Sequence, residues 1–258
     1  MVDFNKKLGK KRTIKTDPIE IYDFLDRISE TGPLRPSQSK ILSEWFIDRK
    51  EDSDVIVKMN TGEGKTLVGL LILMSKLNQS SSPSLYLCPN NYLVDQVTQE
   101  ANKFGIPICS IGSDNQIPED YTNGKKILIT TVQKLFNGKT IFGLDNNSIP
   151  VGSLVIDDSH ACIDAIRNSS TIKIPKNEEL YNDIVALFIE DLKNQGEGTF
   201  LDIFNGEYDA LLHIPYWSMH EKHIDLLKLL LNCKEKEFIK FNWDLIKDNL
   251  TNYQAFIC

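Results

Sequence analysis

Met59-Asn60-Thr61-Gly62-Glu63-Gly64-Lys65-Thr66 is the stretch on which the reading of this 258-residue chain turns. Before it, residues 55–59 form an apolar, β-branched run that predicts a strand, and after it residues 65–77 predict a helix. A turn in that context suits a phosphate group. Glycines let backbone N–H groups come close, a lysine reaches the β/γ oxygens, a hydroxyl serves magnesium, and the helix N-terminus adds partial positive charge. Gly62, Gly64, Lys65 and Thr66 supply those parts in order, with Thr61 and Glu63 between them. The strict pattern G-x-x-x-x-G-K-[ST] wants glycine where Met59 stands, so a plain Gly-Lys-Thr helix cap remains the alternative.

A phosphate loop calls for an acid at the end of a neighbouring apolar strand, and Leu154-Val155-Ile156-Asp157-Asp158-Ser159-His160 meets that requirement. Asp157 is suited to hold magnesium through its water shell, and Asp158 to orient or deprotonate an attacking water. Adjacent carboxylates repel each other, and a divalent cation beside them relieves the repulsion. An acidic turn capping the next helix accounts for the same residues.

Outward from these motifs, residues 34–174 alternate short apolar strands with helical stretches. Strands are predicted at 55–59, 85–88, 106–111, 127–130 and 154–156. Helices are predicted at 37–48, 65–77, 92–104, 132–136 and after Ser159. Such a pattern predicts an α/β fold, a parallel sheet sandwiched by helices. Residues 1–33 hold a basic arm (Lys6, Lys7, Lys10, Lys11, Arg12, Lys15) and an amphipathic helix over 18–29 that Asp17-Pro18 would cap and start. The arm reads as a solvated terminus, with phosphate contact as the alternative. Residues 175–258 predict a mainly helical subdomain, with helices at 180–192, 222–231 and 238–250. Tyr216, Trp217, Phe241 and Trp243 read there as packing residues rather than a base-stacking platform.

With two further segments, the motifs make the chain similar to a superfamily 2 helicase of the DEAD/DEAH-box (DExH-like) kind, of a bacterial type, over residues 38–160. The resemblance implies a RecA-like ATP-binding fold. In that family the loop reads A-x-T-G-x-G-K-T, and Met is an ordinary variant at its first position. Leu34-Arg35-Pro36-Ser37-Gln38 resembles the upstream adenine-reading segment. That implies that Gln38 offers its amide donor and acceptor to the adenine edge, although a helix N-cap at Ser37 fits equally. Pro89-Asn90-Asn91-Tyr92-Leu93-Val94-Asp95-Gln96 is similar to motif Ia, and Ile129-Thr130-Thr131-Val132-Gln133-Lys134-Leu135 resembles the later T-T-x-x-x-L segment. Asn90, Asn91, Thr130 and Thr131 are thereby implied to face a nucleic-acid strand, with helix capping as the alternative. His160 matches the last residue of the DExH form, which implies a relay between nucleotide and nucleic-acid sites. ATP and magnesium are the implied cofactors. DNA or RNA is the implied partner, with DNA slightly favoured.

The sequence also departs from the family. Asp158 stands where Glu is usual, which draws the carboxylate back by about an ångström and is worth about 10²-fold if positioning dominates. No Ser-Ala-Thr segment of motif III follows His160. A second RecA-like domain with its arginine fingers is expected beyond Cys258, and losing a finger is worth about 10³ to 10⁵ in rate. The expectation is the ATP-binding first half of a helicase or translocase that couples hydrolysis to movement on nucleic acid. These residues alone would unwind nothing, and the helical third would be an insertion. A nucleotide-gated interaction module with impaired hydrolysis is the rival. A phosphate-loop transferase is a more distant one, because Arg167 is the last arginine and lid arginines are wanting.

Composition narrows the field further. With 41% hydrophobic and 25% charged residues the chain is that of an ordinary globular protein. Its longest apolar run, 67–74, is far too short to span a bilayer, and no apolar segment of a secretory signal follows the basic start. Cys88, Cys109, Cys162, Cys233 and Cys258 show no CxxC pairing and no His at zinc-ligand spacing, which predicts reduced thiols in a cytoplasmic protein. A net charge of −7 argues against a surface that grips nucleic acid everywhere, though not against a local basic groove.

Overall fold

The computed structural model describes residues 14–28, 31–206 and 210–258. Lys6, Lys7, Lys10, Lys11 and Arg12 of the basic arm, and Ser29 of the predicted first helix, lie outside the described residues. Contacts divide the chain into two compact units. One holds the described residues up to Leu135 together with Ile141–Ala165, and the other holds Phe136–Thr140 with Ile166–Cys258.

The first unit is built on four parallel strands, β1 (Ser84–Cys88), β2 (Ile108–Cys109), β3 (Ile127–Thr131) and β4 (Ser153–Ile156), in the order β2-β3-β1-β4. It is the RecA-like α/β arrangement the sequence predicts. α1 (Pro18–Phe24) starts as its residues dictate, with the Asp17 carboxylate accepting from the Ile19 N–H at 2.8 Å. α2 (Pro36–Glu44) runs on into a wider π-type turn over Trp45–Arg49. α3 (Lys65–Ser80) is apolar nearly all round because α1, α2, the sheet and α4 (Asn91–Lys103) cover it. Leu67, Leu70, Leu71, Tyr86, Val97 and Ile129 are among the buried residues of the resulting core. Shorter helices follow: α5 (Glu119–Thr122), α6 (Val132–Leu135) and then α7 (Ser159–Ser169) after β4.

Because the strands all run the same way, Cys88, Thr131 and Ile156 end along one edge of the sheet, the edge where α/β folds place their ligands.

Two predicted strands fare differently from the rest. Residues 106–111 contribute only Ile108–Cys109 to the sheet. Residues 55–59 form no strand at all: Val55, Ile56 and Val57 are 40%, 97% and 40% exposed, although Met59 is buried. A β-branched run favours extended backbone, but it becomes a strand only where a neighbouring backbone accepts its N–H groups. Among the described residues none pairs with it. β4 is an edge strand and likewise exposes Leu154 and Ile156.

The second unit is mainly helical. α8 (Glu179–Asn205) is interrupted at Gly196, and α9 (Tyr216–Asn232), α10 (Glu237–Lys240) and α11 (Trp243–Ile246) follow. A short antiparallel pair that the sequence did not suggest, β5 (Leu212–His213) with β6 (Phe256–Ile257), closes it. The helix predicted over 238–250 is broken into α10, α11 and a 3₁₀ turn. At the break the Asn242 side chain donates to Ser169 O at 2.6 Å and Thr171 O at 3.2 Å, a tertiary anchor that periodicity does not reveal. The reading of the aromatics also needs correction. Trp243 is buried in the core, whereas Tyr216, Trp217 and Phe241 are exposed. Tyr216 and Trp217 lie in the first turn of α9, and its buried stripe is made instead by Ser218, Met219, Leu226 and Leu230.

α8 and α9 are tied by Asp191, whose carboxylate accepts from Ser218 Oγ at 2.6 Å and from Lys222 Nζ at 2.7 Å. These bonds, Lys222 first, hold the Asp191 carboxyl below its ordinary range. A depressed carboxyl contributes stability above its unfolded pKa, and that stability is lost as pH falls through the folded value. Asp191→Asn is therefore expected to lower stability at pH 7 by about 1 kcal/mol, since the site is partly open to solvent. Denaturant titrations of the two proteins should converge as the pH drops below the ordinary aspartate range.

No helix of the described residues is long and apolar enough to cross a membrane. The five cysteines are free thiols.

Candidate functional site

The turn at 60–64 has the backbone that a phosphate loop requires. Gly62 and Gly64 take left-handed conformations (φ +83° and +80°) that strain any residue with a Cβ. A Cβ on Gly62 would meet nothing within 4 Å, so the concavity is open on that side. Gly64 is the N-cap of α3 and carries no capping side chain, which leaves the first N–H groups of the helix for whatever fills the loop. Lys65 is exposed at the mouth.

The loop is also held from outside. The Glu63 carboxylate accepts from the Asn60 N–H at 3.3 Å and from Asn60 Nδ2 at 3.1 Å. The Arg35 guanidinium donates to Gly62 O. Gln38 is buried, accepts from the Arg35 N–H at 2.9 Å and donates to Gly64 O at 3.3 Å. A Cβ on Gly64 would stand 2.3 Å from Gln38 Nε2, so glycine is needed there for closeness as well as for φ. Tyr22, Arg35, Gln38, Gly64, Gln96 and Glu100 help to line a cavity of about 520 Å³ beside the loop.

The paired acids sit at the end of β4. Parallel pairing sets Ile156 beside Leu87, and the Asp157 N–H continues the ladder to Leu87 O at 2.9 Å. Asp157 is half-buried, while Asp158 and His160 are exposed. Asp158 takes a left-handed conformation (φ +43°) and donates its N–H to Asp157 Oδ1 at 3.0 Å. Cys162, in the first turns of α7, directs its thiol to Asp157 O at 3.1 Å. Burial, reinforced by the Asp157 charge, pushes the Cys162 thiol up to about 11 and that of Cys88 up to about 12, so both stay protonated at neutral pH.

The two motifs meet at a residue that sequence reading passed over. The Tyr86 phenol is raised well above its usual pKa, by burial first and by the Asp157 charge second. Its ring packs against α3, the helix that opens on the loop: a Cβ on Gly69 would stand 3.0 Å from Tyr86 Cε2 and 3.2 Å from Val155 Cγ1 of β4. Glu100 on α4 was missed as well. Burial raises its pKa against the lowering effects of the Lys103 and Arg35 charges. The only signal in the sequence was chemical: a buried phenol in an apolar strand must find a partner for its oxygen. Glu100 reads simply as part of the polar face of a helix.

Thr66 lies in the first turn of α3, and Asp157 follows β4, against which α3 packs, so the two elements offer one hydroxyl and one carboxylate. That donor set suits a magnesium ion that arrives on a phosphate and keeps most of its waters. Among the described residues no group of three or more His, Cys, Asp or Glu could hold a metal unaided.

The remaining candidates lie along the same sheet edge. Asn90 is exposed and caps α4, its Oδ1 accepting from the Leu93 N–H at 3.0 Å; Asn91 is exposed in the first turn. Thr130 and Thr131 stand beside Leu87 and Cys88, and Gln133 Nε2 reaches Pro89 O at 3.3 Å, so the two segments are neighbours. Thr130 is buried and Thr131 half-buried.

Comparison with known proteins bears on the same residues. The family described as DEAD/DEAH box helicase matches over residues 35–184, more than half of the chain. The chain is 24% identical over 127 residues to an ATP-dependent DNA helicase Hel308 from Thermococcus kodakarensis (strain ATCC BAA-918 / JCM 12380 / KOD1). That stretch covers 47% of this chain and 11% of the relative. No solved structure matches.

Proposed function

Because the chain belongs to the DEAD/DEAH box helicase family, we propose that it is the ATP-binding part of a superfamily 2 motor that moves on nucleic acid. The observation that carries the proposal is the turn at 60–64, where left-handed Gly62 and Gly64 lead into an uncapped helix start, on a helix that packs against the strand leading to Asp157. The backbone N–H groups of 62–66 would surround the β-phosphate, Lys65 would neutralise the β/γ oxygens, and Thr61 and Glu63 would shape the loop. Thr66 and Asp157 would hold magnesium, which when bound neutralises charge between the β- and γ-phosphates. Asp158 would orient the attacking water, and His160 would link this site to the nucleic-acid track.

The adenine base would enter the cavity beside Gln38. Its amide would exchange the long bond to Gly64 O for the base edge while Oε1 changes partner. Asn90, Asn91, Thr130 and Thr131 would face the strand. Asn90 can do so only through Nδ2 because its Oδ1 is occupied by capping, and buried Thr130 would act by setting Thr131. DNA is the favoured track, in keeping with the DNA helicase relative, of which this chain spans only a small share. A second RecA-like domain would supply arginine fingers and the other wall of the cleft, and the helical unit would be an insertion in the motor.

A second reading, a nucleotide-gated interaction module with impaired hydrolysis, is favoured by one observation: the short acid at 158 sits on a left-handed backbone.

The test is binding of a fluorescent ATP analogue together with ATPase and unwinding assays on the 258-residue chain. Weak magnesium-dependent nucleotide binding is expected, with turnover about 10³-fold or more below a two-domain motor and no unwinding. Robust ATPase stimulated by nucleic acid would refute the half-motor reading, and absence of nucleotide binding would refute the site.

A further inference from the structure

α9 carries apolar residues on two faces, and the fold buries one of them. Met219, Leu226 and Leu230 turn into the core of the second unit, whereas Trp217, Ile224 and Leu231 are 57%, 56% and 47% exposed. Those three recur every seven residues, a spacing that keeps them on one stripe of the helix. At about 100° per residue, the stripe lies opposite the buried face. Exposed His220 and partly buried Leu227 fall between the three, which gives the row the a/d spacing of a coiled-coil seam. Tyr216 packs edge-on against Trp217, with ring centroids 5.2 Å apart, at the N-terminal end of the row.

Single exposed apolar side chains are ordinary, but a row of them along one helix is the surface that a second helix covers. The charges beside the row identify that helix. Glu221 and Lys228 flank the row on the same side, three positions before Ile224 and four after it. Lys228 pairs with Asp225 of its own helix at 2.8 Å, and both side chains are more than half exposed, so exchanging that partner costs little. Two copies of α9 laid antiparallel about a two-fold axis at Ile224 set Trp217 against Leu231 of the second copy, and Ile224 against its own counterpart. The same rotation brings Glu221 beside Lys228 of the second copy, and the symmetry repeats the pair. A parallel arrangement would set each charge level with its own like.

We propose that this face of α9 is a self-association surface: two copies of the chain pair antiparallel through Trp217, Ile224 and Leu231, and bridges between Glu221 and Lys228 fix the direction. The seventeen residues of α9 form a helix about 26 Å long. A strip of that length buries less than a standard interface, so the dimer dissociates on dilution, with a Kd on the order of 10 to 100 μM. The inference does not depend on the nucleotide roles proposed above.

Sedimentation velocity of the 258-residue chain, from about 1 to about 300 μM, tests it. The wild type should pass from monomer to dimer across that range. Ile224→Glu puts like charges on the axis and should stay monomeric throughout. Because the side chain is exposed, its melting temperature in dilute solution, where both proteins are monomers, should match the wild type. Glu221→Lys and Lys228→Glu should each weaken association by about tenfold or more, and the two changes combined should restore it to within about threefold. An equimolar mixture of the two single variants should associate more tightly than either alone.

A wild type that is still monomeric at the highest concentration overturns the inference and leaves the stripe to a different partner. A dimer that survives Ile224→Glu forms elsewhere on the molecule and overturns it too. So does a combined charge swap that fails to recover association, since the charges are what single out a second copy of α9.

Discussion

Replacing Lys65 by alanine is expected to weaken binding of ATP with magnesium by roughly a hundredfold, the loss of two charge-assisted hydrogen bonds to phosphate. The side chain is exposed at the start of α3 and takes no part in the buried core. The variant should therefore unfold at the temperature of the wild type, which separates a binding defect from a folding one. A discriminating readout is the triphosphate over the monophosphate. If Lys65 acts at the β/γ oxygens as proposed, AMP affinity should hardly change while ATP affinity collapses. Equal losses for both nucleotides would mean that the turn at 60–64 does not bind the phosphate chain in the proposed direction.

The second large effect concerns Asp158. Lengthening it to glutamate should raise single-turnover hydrolysis by up to about 10²-fold if reach toward the attacking water is what limits the step. The same change has a structural cost. The backbone at 158 is left-handed (φ +43°), which aspartate and asparagine tolerate better than longer residues. Asp158→Glu should therefore lose stability by about 1 kcal/mol while gaining rate. Asp158→Asn supplies the control, since it suits the backbone and lacks the carboxylate, so it should keep the melting temperature and lose whatever hydrolysis the wild type has. A faster glutamate variant favours the module reading, in which a short acid holds hydrolysis down. An unchanged rate would show that reach at 158 is not limiting.

Both effects are half legible in the sequence. Gly62, Gly64, Lys65 and Thr66 are conspicuous because a phosphate loop depends on local chemistry, namely glycine where φ is positive and a helix start where a phosphate sits. Asp157 and Asp158 could be paired with them only through the expectation of a parallel sheet, which β1–β4 pairing supplies. The conformation at 158 was not legible, because it comes from how β4 hands over to α7. The aromatics of the second unit were misjudged for a related reason. Tyr216 and Trp217 look like core by residue type, yet burial depends on which face of α9 meets α8, and that face carries Ser218 and Met219. Likewise Val55-Ile56-Val57 has every local mark of a strand and lacks a pairing partner among the described residues.

Hydrophobic periodicity and turn chemistry, which act over a few neighbouring residues, were enough to determine from sequence alone the α/β class, the loop, the acidic segment and the helical character of the last third. What only the tertiary structure decided was which side chains meet across elements. Asn242 against Ser169, Gln38 against Gly64, and Asp191 against Lys222 all join residues 20 or more positions apart. Distance along the chain carries no record of such meetings. They arise when buried polar atoms must find partners and packing leaves only one within reach.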